Sequence, residues 1–80
     1  MEVKITIVGC GKRISGEKNG RTYDFVTCHF TYPDKYTDGV ACGTFACPGE
    51  KFEQYQITPG TQLNAIVFFK NFRPDKVYVL

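Results

Sequence analysis

Eighty residues make one small domain with a thin core, which excludes a two-domain enzyme built around a deep interdomain cleft. Hydrophobic residues at 42% argue against disorder, and ten basic against eight acidic residues leave a net charge of +2, too small to indicate a partner by itself. Seven Phe and five Tyr are more rings than so thin a core absorbs, so some are expected at the surface. No apolar run approaches the roughly 20 residues that span a bilayer. Met1-Glu2-Val3-Lys4 places no basic region before an apolar stretch, so a soluble, cytoplasmic protein is expected.

Val3, Ile5 and Ile7 alternate with Lys4 and Thr6, the period of a half-buried strand that ends at Gly9-Cys10-Gly11. Residues 11–21 read as a glycine-rich basic loop. A long strand follows from Thr22 to Tyr32, closed by Pro33-Asp34, with Tyr23, Phe25, Thr27, His29 and Thr31 on one face and Val26, Cys28 and Phe30 on the other. Residues 33–39 form a polar turn ending in Asp38-Gly39, and Val40 to Cys47 is a weaker strand interrupted by Gly43. Glu50 to Tyr55 fits one helical turn, with Phe52 and Tyr55 on one face. Pro59-Gly60 opens the most apolar strand, Thr61 to Lys70; Asn71 to Asp75 reads as a hairpin loop, and Lys76 to Leu80 as the last strand. No repeat, low-complexity tract or linker divides residues 1–80.

Five strands with a short helical or irregular segment between the third and fourth is the element order of an all-β OB-fold barrel; an SH3-like barrel is the competitor at this length. The long second strand and the place of the irregular segment favour the OB-fold.

Cys10, Cys28, Cys42 and Cys47 contain no CxxC pair. A zinc site would recruit His29 beside Cys28, but structural zinc sites use tight ligand pairs, so reduced thiols packed as small hydrophobes are expected, without metal or cofactor.

Charge is unevenly spread. Residues 11–21 carry Lys12, Arg13, Lys18 and Arg21 against Glu17, and residues 67–80 carry Lys70, Arg73 and Lys76 against Asp75, while residues 33–56 are net acidic. In a five-stranded barrel the first loop and the loop joining the last two strands flank the ligand groove. Tyr23 and Phe25 follow the basic loop on one strand face, Phe72 sits in the last hairpin, and Tyr78 alternates outward from Val77 and Val79. Of Phe68 and Phe69, which point to opposite faces, one is expected in the core. Cations for phosphates interleaved with rings on which bases stack are what single-stranded nucleic acid requires. A solvated loop, or Tyr23 and Phe25 turned into the core, would be the plainer explanations.

The chain resembles the single-stranded DNA-binding, helix-destabilising proteins of filamentous phages and their plasmid and mobile-element relatives. Three stretches carry the likeness: Val3-Lys4-Ile5; Arg13, Lys18 and Gly20-Arg21-Thr22-Tyr23-Asp24-Phe25, which match the family's DNA-binding wing; and Pro59-Gly60, Phe69-Lys70 and Asp75-Lys76-Val77, which match the spacing of its closing strands. The resemblance implies a homodimer that coats single-stranded DNA cooperatively, without much sequence preference, in DNA replication. It implies phosphate contacts from Arg13, Lys18 and Lys76, a base-stacking platform of Tyr23 supported by Phe25, and a loop aromatic near Phe72. Tyr78 departs from the pattern, standing where the family carries a second basic residue.

Catalysis finds little support. His29 and Cys28 are adjacent on a strand and face opposite ways, and Gly9-Cys10-Gly11-Lys12 stops short of a phosphate-binding loop. The alternative to DNA or RNA binding is a small β-barrel adaptor in a phage or mobile-element complex, which would be indifferent to the charges of Arg13 and Lys18. A subunit that needs a partner to complete its core is a third possibility.

Overall fold

A computed structural model of the chain describes residues 2–80. The order is β1 (Glu2–Cys10), β2 (Ile14–Lys18), β3 (Arg21–Tyr32), β4 (Ala41–Pro48), α1 (Gly49–Gln54), β5 (Gln62–Lys70) and β6 (Arg73–Val79). The protein is all-β, with its one short helix between β4 and β5. There are six strands rather than five, because the expected loop over 11–21 contains β2. Asn19 and Gly20, at φ of 52° and 75°, close β2 onto β3 as a two-residue turn, with Lys18 facing Arg21. Such a turn needs positive φ at both central residues, which Asn-Gly supplies at least cost. The second hairpin loop is also shorter than expected. Only Asn71 and Phe72 lie outside the strands, and β6 begins at Arg73 with a bulge opposite Phe68 and Phe69.

All pairings are antiparallel, in the order β2-β3-β1-β5-β6 with β4 on the remaining edge of β3. β1 and β2 share one edge of β3. Cys10 faces Cys28, the chain passes through 11–13, and Ile14 then faces Phe25. The Gly11 N–H donates to the Thr27 carbonyl at 2.9 Å and holds this crossing to β3. β4 and β6, the outer strands, share no hydrogen-bonded ladder, yet they meet: a Cβ on Gly43 would lie 3.0 Å from Pro74 Cγ.

The alternation of apolar and polar residues is realised strand by strand. Ile5 and Ile7 of β1, Val26, Cys28, Phe30 and Tyr32 of β3, Phe45 and Cys47 of β4, Ala65 and Val67 of β5 and Val79 of β6 are buried, with Ile57 completing the core. Phe30 is its centre, 5.7 Å from Phe45 and 5.8 Å from Tyr32 between ring centroids. Gly43 lies against it, and a Cβ there would stand 2.9 Å from Phe30 Cζ. Phe52 of α1 and Tyr55, which caps its C-terminal end, pack on the same core. The Tyr55 hydroxyl and Lys51 Nζ donate to the carbonyls of Leu80 and Val79, tying the helix to the end of the chain.

Phe68 and Phe69 depart from expectation, since neither enters the core: 51% and 42% of their surfaces stay exposed. β5 outruns the core after Val67. Phe69 continues the inward face but meets only Tyr32, at 5.9 Å, while Phe68 points outward and packs edge-on to Tyr78. No helix among the described residues is long and apolar enough to cross a membrane.

The four cysteines are free, with Cys28 and Cys47 buried, Cys10 half-buried and Cys42 exposed. Burial, helped by the neighbouring Cys47 and Cys10 thiols, pushes Cys28 up to about 12, and burial also raises Cys47. His29 is exposed on the opposite face of β3, so it does not join these thiols. A thiol that stays protonated in the fold but ionises when unfolded stabilises the fold fully below the ordinary value of 9.0, and that contribution fades as pH rises toward 12. Thermal melts should therefore shift downward over this alkaline window, and less steeply in Cys28→Ala. A thiol reagent on the native protein should modify Cys42 first and Cys28 and Cys47 only on unfolding.

Candidate functional site

β3 carries one face into the core and the other into solvent. On the outer face stand Tyr23, Phe25, Thr27, His29 and Thr31, and across the ladder His29 faces Thr44, Thr31 faces Cys42 and Thr27 faces Ala46. The result is a shallow sheet surface of small side chains with two rings at its β2 end. Tyr23 and Phe25 thus lie outside the core, with their ring centroids 6.4 Å apart. Tyr23 is 42% exposed and its ring lies over Gly16, its cross-strand partner, where a Cβ would come within 2.6 Å of the phenol oxygen. Residue 16 is glycine because the ring occupies the space that a side chain would take. Phe25 is half-buried behind it.

Beyond Tyr23 the β2–β3 hairpin projects clear of the core, and every residue of β2 is exposed. Lys18 and Arg21 face each other at its turn and, with Asn19, Thr22 and Tyr23, line one shallow depression. Neither is in an ion pair; among the described residues the ion pairs all belong to Arg13.

Arg13 is placed differently from Lys18. Its guanidinium grips Asp24 with Nε–Oδ1 at 2.7 Å and Nη2–Oδ2 at 2.6 Å, and it also donates to Glu53 of α1. The hydrogen bond to Asp24, then that to Glu53, raises the arginine's already high pKa, and Arg13 in turn holds the Asp24 carboxyl below its ordinary 3.8. The Asp24 carboxylate also rests on Gly49, where a Cβ would collide with it. Arg13 therefore braces the base of the hairpin to the helix, its charge already matched by two carboxylates.

The remaining candidates, Lys70, Phe72, Arg73 and Lys76, lie on the β5–β6 hairpin. This hairpin extends from the Glu2 end of β1, where Glu2 faces Ile66, whereas the β2–β3 hairpin extends from the Cys10 end. The two basic loops are thus at opposite ends of a molecule 43 Å long, instead of closing on one point. Lys70 faces Arg73, and Lys76 faces Phe68 on the outward side beside Tyr78. Phe72 is fully exposed and has φ of +64°. A left-handed conformation costs an L-residue with a Cβ roughly 1–2 kcal/mol, so a bulky ring held there in water is a feature that packing does not explain.

The sequence reading passed over Tyr36. It is 85% exposed in the β3–β4 loop, where the Asp34 carboxylate accepts hydrogen bonds from the Tyr36 N–H and the Thr37 hydroxyl. Asp34-Lys35-Tyr36-Thr37 has the composition of an Asx turn, the signal that would have marked this loop as ordered. With Tyr36, Tyr23, Phe68, Phe69, Phe72 and Tyr78, six of the chain's rings are exposed. Among the described residues no cluster of His, Cys, Asp and Glu is arranged to hold a metal ion.

Phe72→Gly should raise stability by about 1 kcal/mol, measured by denaturant unfolding, because glycine adopts the turn without strain. The brace makes a second prediction. Asp24 contributes stability above its unfolded value of 3.8, and this is lost as pH falls through its lower native value. Amide protection factors in β2, corrected for the intrinsic exchange rate at each pH, should fall in acid, and Arg13→Ala should lower them at neutral pH. No family model, curated protein or solved structure matches the chain.

Proposed function

We propose that this protein is a non-catalytic, largely sequence-independent single-stranded DNA-binding protein with an OB-fold, acting as a homodimer. The observation that carries the reading is the β2–β3 hairpin. It holds two unpaired cations, Lys18 and Arg21, directly beside an exposed ring, Tyr23, which the alternation of β3 puts on the outer face and which lies over the space left at Gly16. Phosphates go to the cations and a base to the ring, an arrangement that stacks on any base and so tolerates sequence. The outer faces of β3 and β4 supply a shallow, uncharged path away from the platform. The connectivity supports the OB-fold: β1 between β3 and β5, β4 beside β3, the helix after β4, and β6 brought back against β4 at Gly43 and Pro74. In this reading β1 and β2 together correspond to the first strand of such a barrel. Arg13 serves as a brace rather than a phosphate contact.

The test is fluorescence anisotropy with labelled oligo(dT) and a duplex of equal length at several salt concentrations. Preference for the single strand is expected, with Tyr23→Ala weakening binding by about 1–3 kcal/mol while the melting temperature holds. Lys18→Ala should flatten the dependence of log K on log salt by about 0.7, the value of one phosphate contact. Arg13→Ala should leave that slope unchanged and lower the melting temperature instead. No binding at low salt would overturn the proposal in favour of a β-barrel adaptor that uses the exposed rings for a protein partner.

A further inference from the structure

A concave surface larger than the depression on the β2–β3 hairpin lies at the other end of β3 from Tyr23. It is a groove of about 1100 Å³ between the β3–β4 loop and the β5–β6 hairpin, lined by Tyr32, Tyr36, Phe69 and Phe72 with Pro33, Asp34, Lys35 and Asn71. Tyr32 is nearly fully buried and forms the floor, with Phe69 against it at 5.9 Å. Tyr36 and Phe72 stand almost free of neighbours. One face of the Tyr36 ring is taken by Lys35, whose Nζ lies 5.0 Å from the ring centre.

We infer that this groove is a second base-binding station, which receives unstacked bases of the same single strand whose other part rests on Tyr23. The inference rests on the proposed function. Three observations favour a nucleic-acid occupant. The walls are flat rings, and the Asn71 amide offers a donor and an acceptor for a base edge. Lys35 is the one cation in the lining, and Asp34, its one carboxylate, is already occupied by Tyr36 and Thr37; Lys70 and Arg73, next to Asn71 and Phe72 in the chain, line the neighbouring depression with Asp75. Finally, Phe72 is held in the left-handed region at the tip, fully in water, where no contact of the fold rewards it.

The two stations are far apart. Tyr23 and Tyr32 are nine residues apart on one strand, about 30 Å at the usual rise. A short oligonucleotide therefore occupies one station, and a longer one reaches both by following the outer face of β3 and β4 and crossing the Tyr32 end of β3 to its inward side. This converts the second contact into an intramolecular one and raises affinity in a step with length.

The experiment is a series of oligo(dT) of increasing length, titrated against the wild type, Tyr23→Ala, Tyr36→Ala and Tyr36→Phe. Wild-type affinity should step upward at a threshold length. Tyr36→Ala should leave affinity for lengths below the threshold unchanged and weaken the longer ones about five- to hundred-fold. Tyr36→Phe should behave as wild type, and Tyr23→Ala should weaken all lengths. Tyr36 is exposed and its replacement removes no core contact, so the fold is expected to hold, which far-ultraviolet dichroism checks. As the chain's only tryptophan, Tyr36→Trp should be quenched by long oligonucleotides and not by short ones. Wild-type binding without a length step, or a Tyr36→Ala protein that binds every length normally, would overturn the second station while leaving the Tyr23 platform intact. A Tyr36→Ala variant that changes the oligomeric state but not binding would assign the groove to a second copy of the chain. Absence of any wild-type binding would remove both readings.

Discussion

The constraint on which the rest depends is that β3 is paired along both edges for most of its length. β4 runs along one edge from Phe25 to Tyr32, and β2 and then β1 share the other. A strand held this way has no freedom of register, because a slip by one residue would exchange Val26, Cys28 and Phe30 with Phe25, Thr27 and His29. The exposure of the rings on its outer face is thus a direct consequence of the burial of Phe30. Core and outer face are two readings of one alternation, and Tyr32, at the end of the strand, is the point where the core meets a groove.

A hairpin that projects beyond the core has no hydrophobic contacts to hold its angle, and here ions replace them. Arg13 lies just before β2, Asp24 lies in β3, and Glu53 comes from α1. The guanidinium fork fixes orientation as well as distance, which a lysine in the same place would not do. These groups are exposed, so the brace sets direction more than it adds stability. It orients the Tyr23 ring relative to the sheet without entering the surface that the ring presents.

Most of the strands were legible because their signals are local: the alternation in β1 and β3, the apolar run of β5, and Pro-Gly at the breaks. The faces of β3 followed from period two alone. β2 was not legible as a strand, since Ile14-Ser15-Gly16-Glu17-Lys18 has one apolar residue and two with low strand propensity; its partner, β3, makes it a strand. The Asn19-Gly20 pair was the available clue. Arg13 read as a free cation because the sequence separates it by 11 residues from Asp24 and by 40 from Glu53, distances that only the fold cancels. Phe68 and Phe69 were misjudged because alternation says which way a ring points but not whether the core extends that far. The groove at Tyr36 draws on two loops far apart in the chain, and no window of sequence contains it.

The seam between β4 and β6 has a further consequence. Contact there runs through Gly43 and Pro74, and proline brings no N–H to a ladder. At that point β4 and β6 touch without a hydrogen-bonded ladder, so parting the two strands there breaks no backbone hydrogen bonds between them. Strands joined by side-chain contact alone separate at lower cost than strands joined by a ladder, and local openings of this kind lie below the cost of global unfolding. The same proline takes one donor from the edge that β6 would offer a foreign strand at this place, one of the devices by which edge strands avoid adding partners.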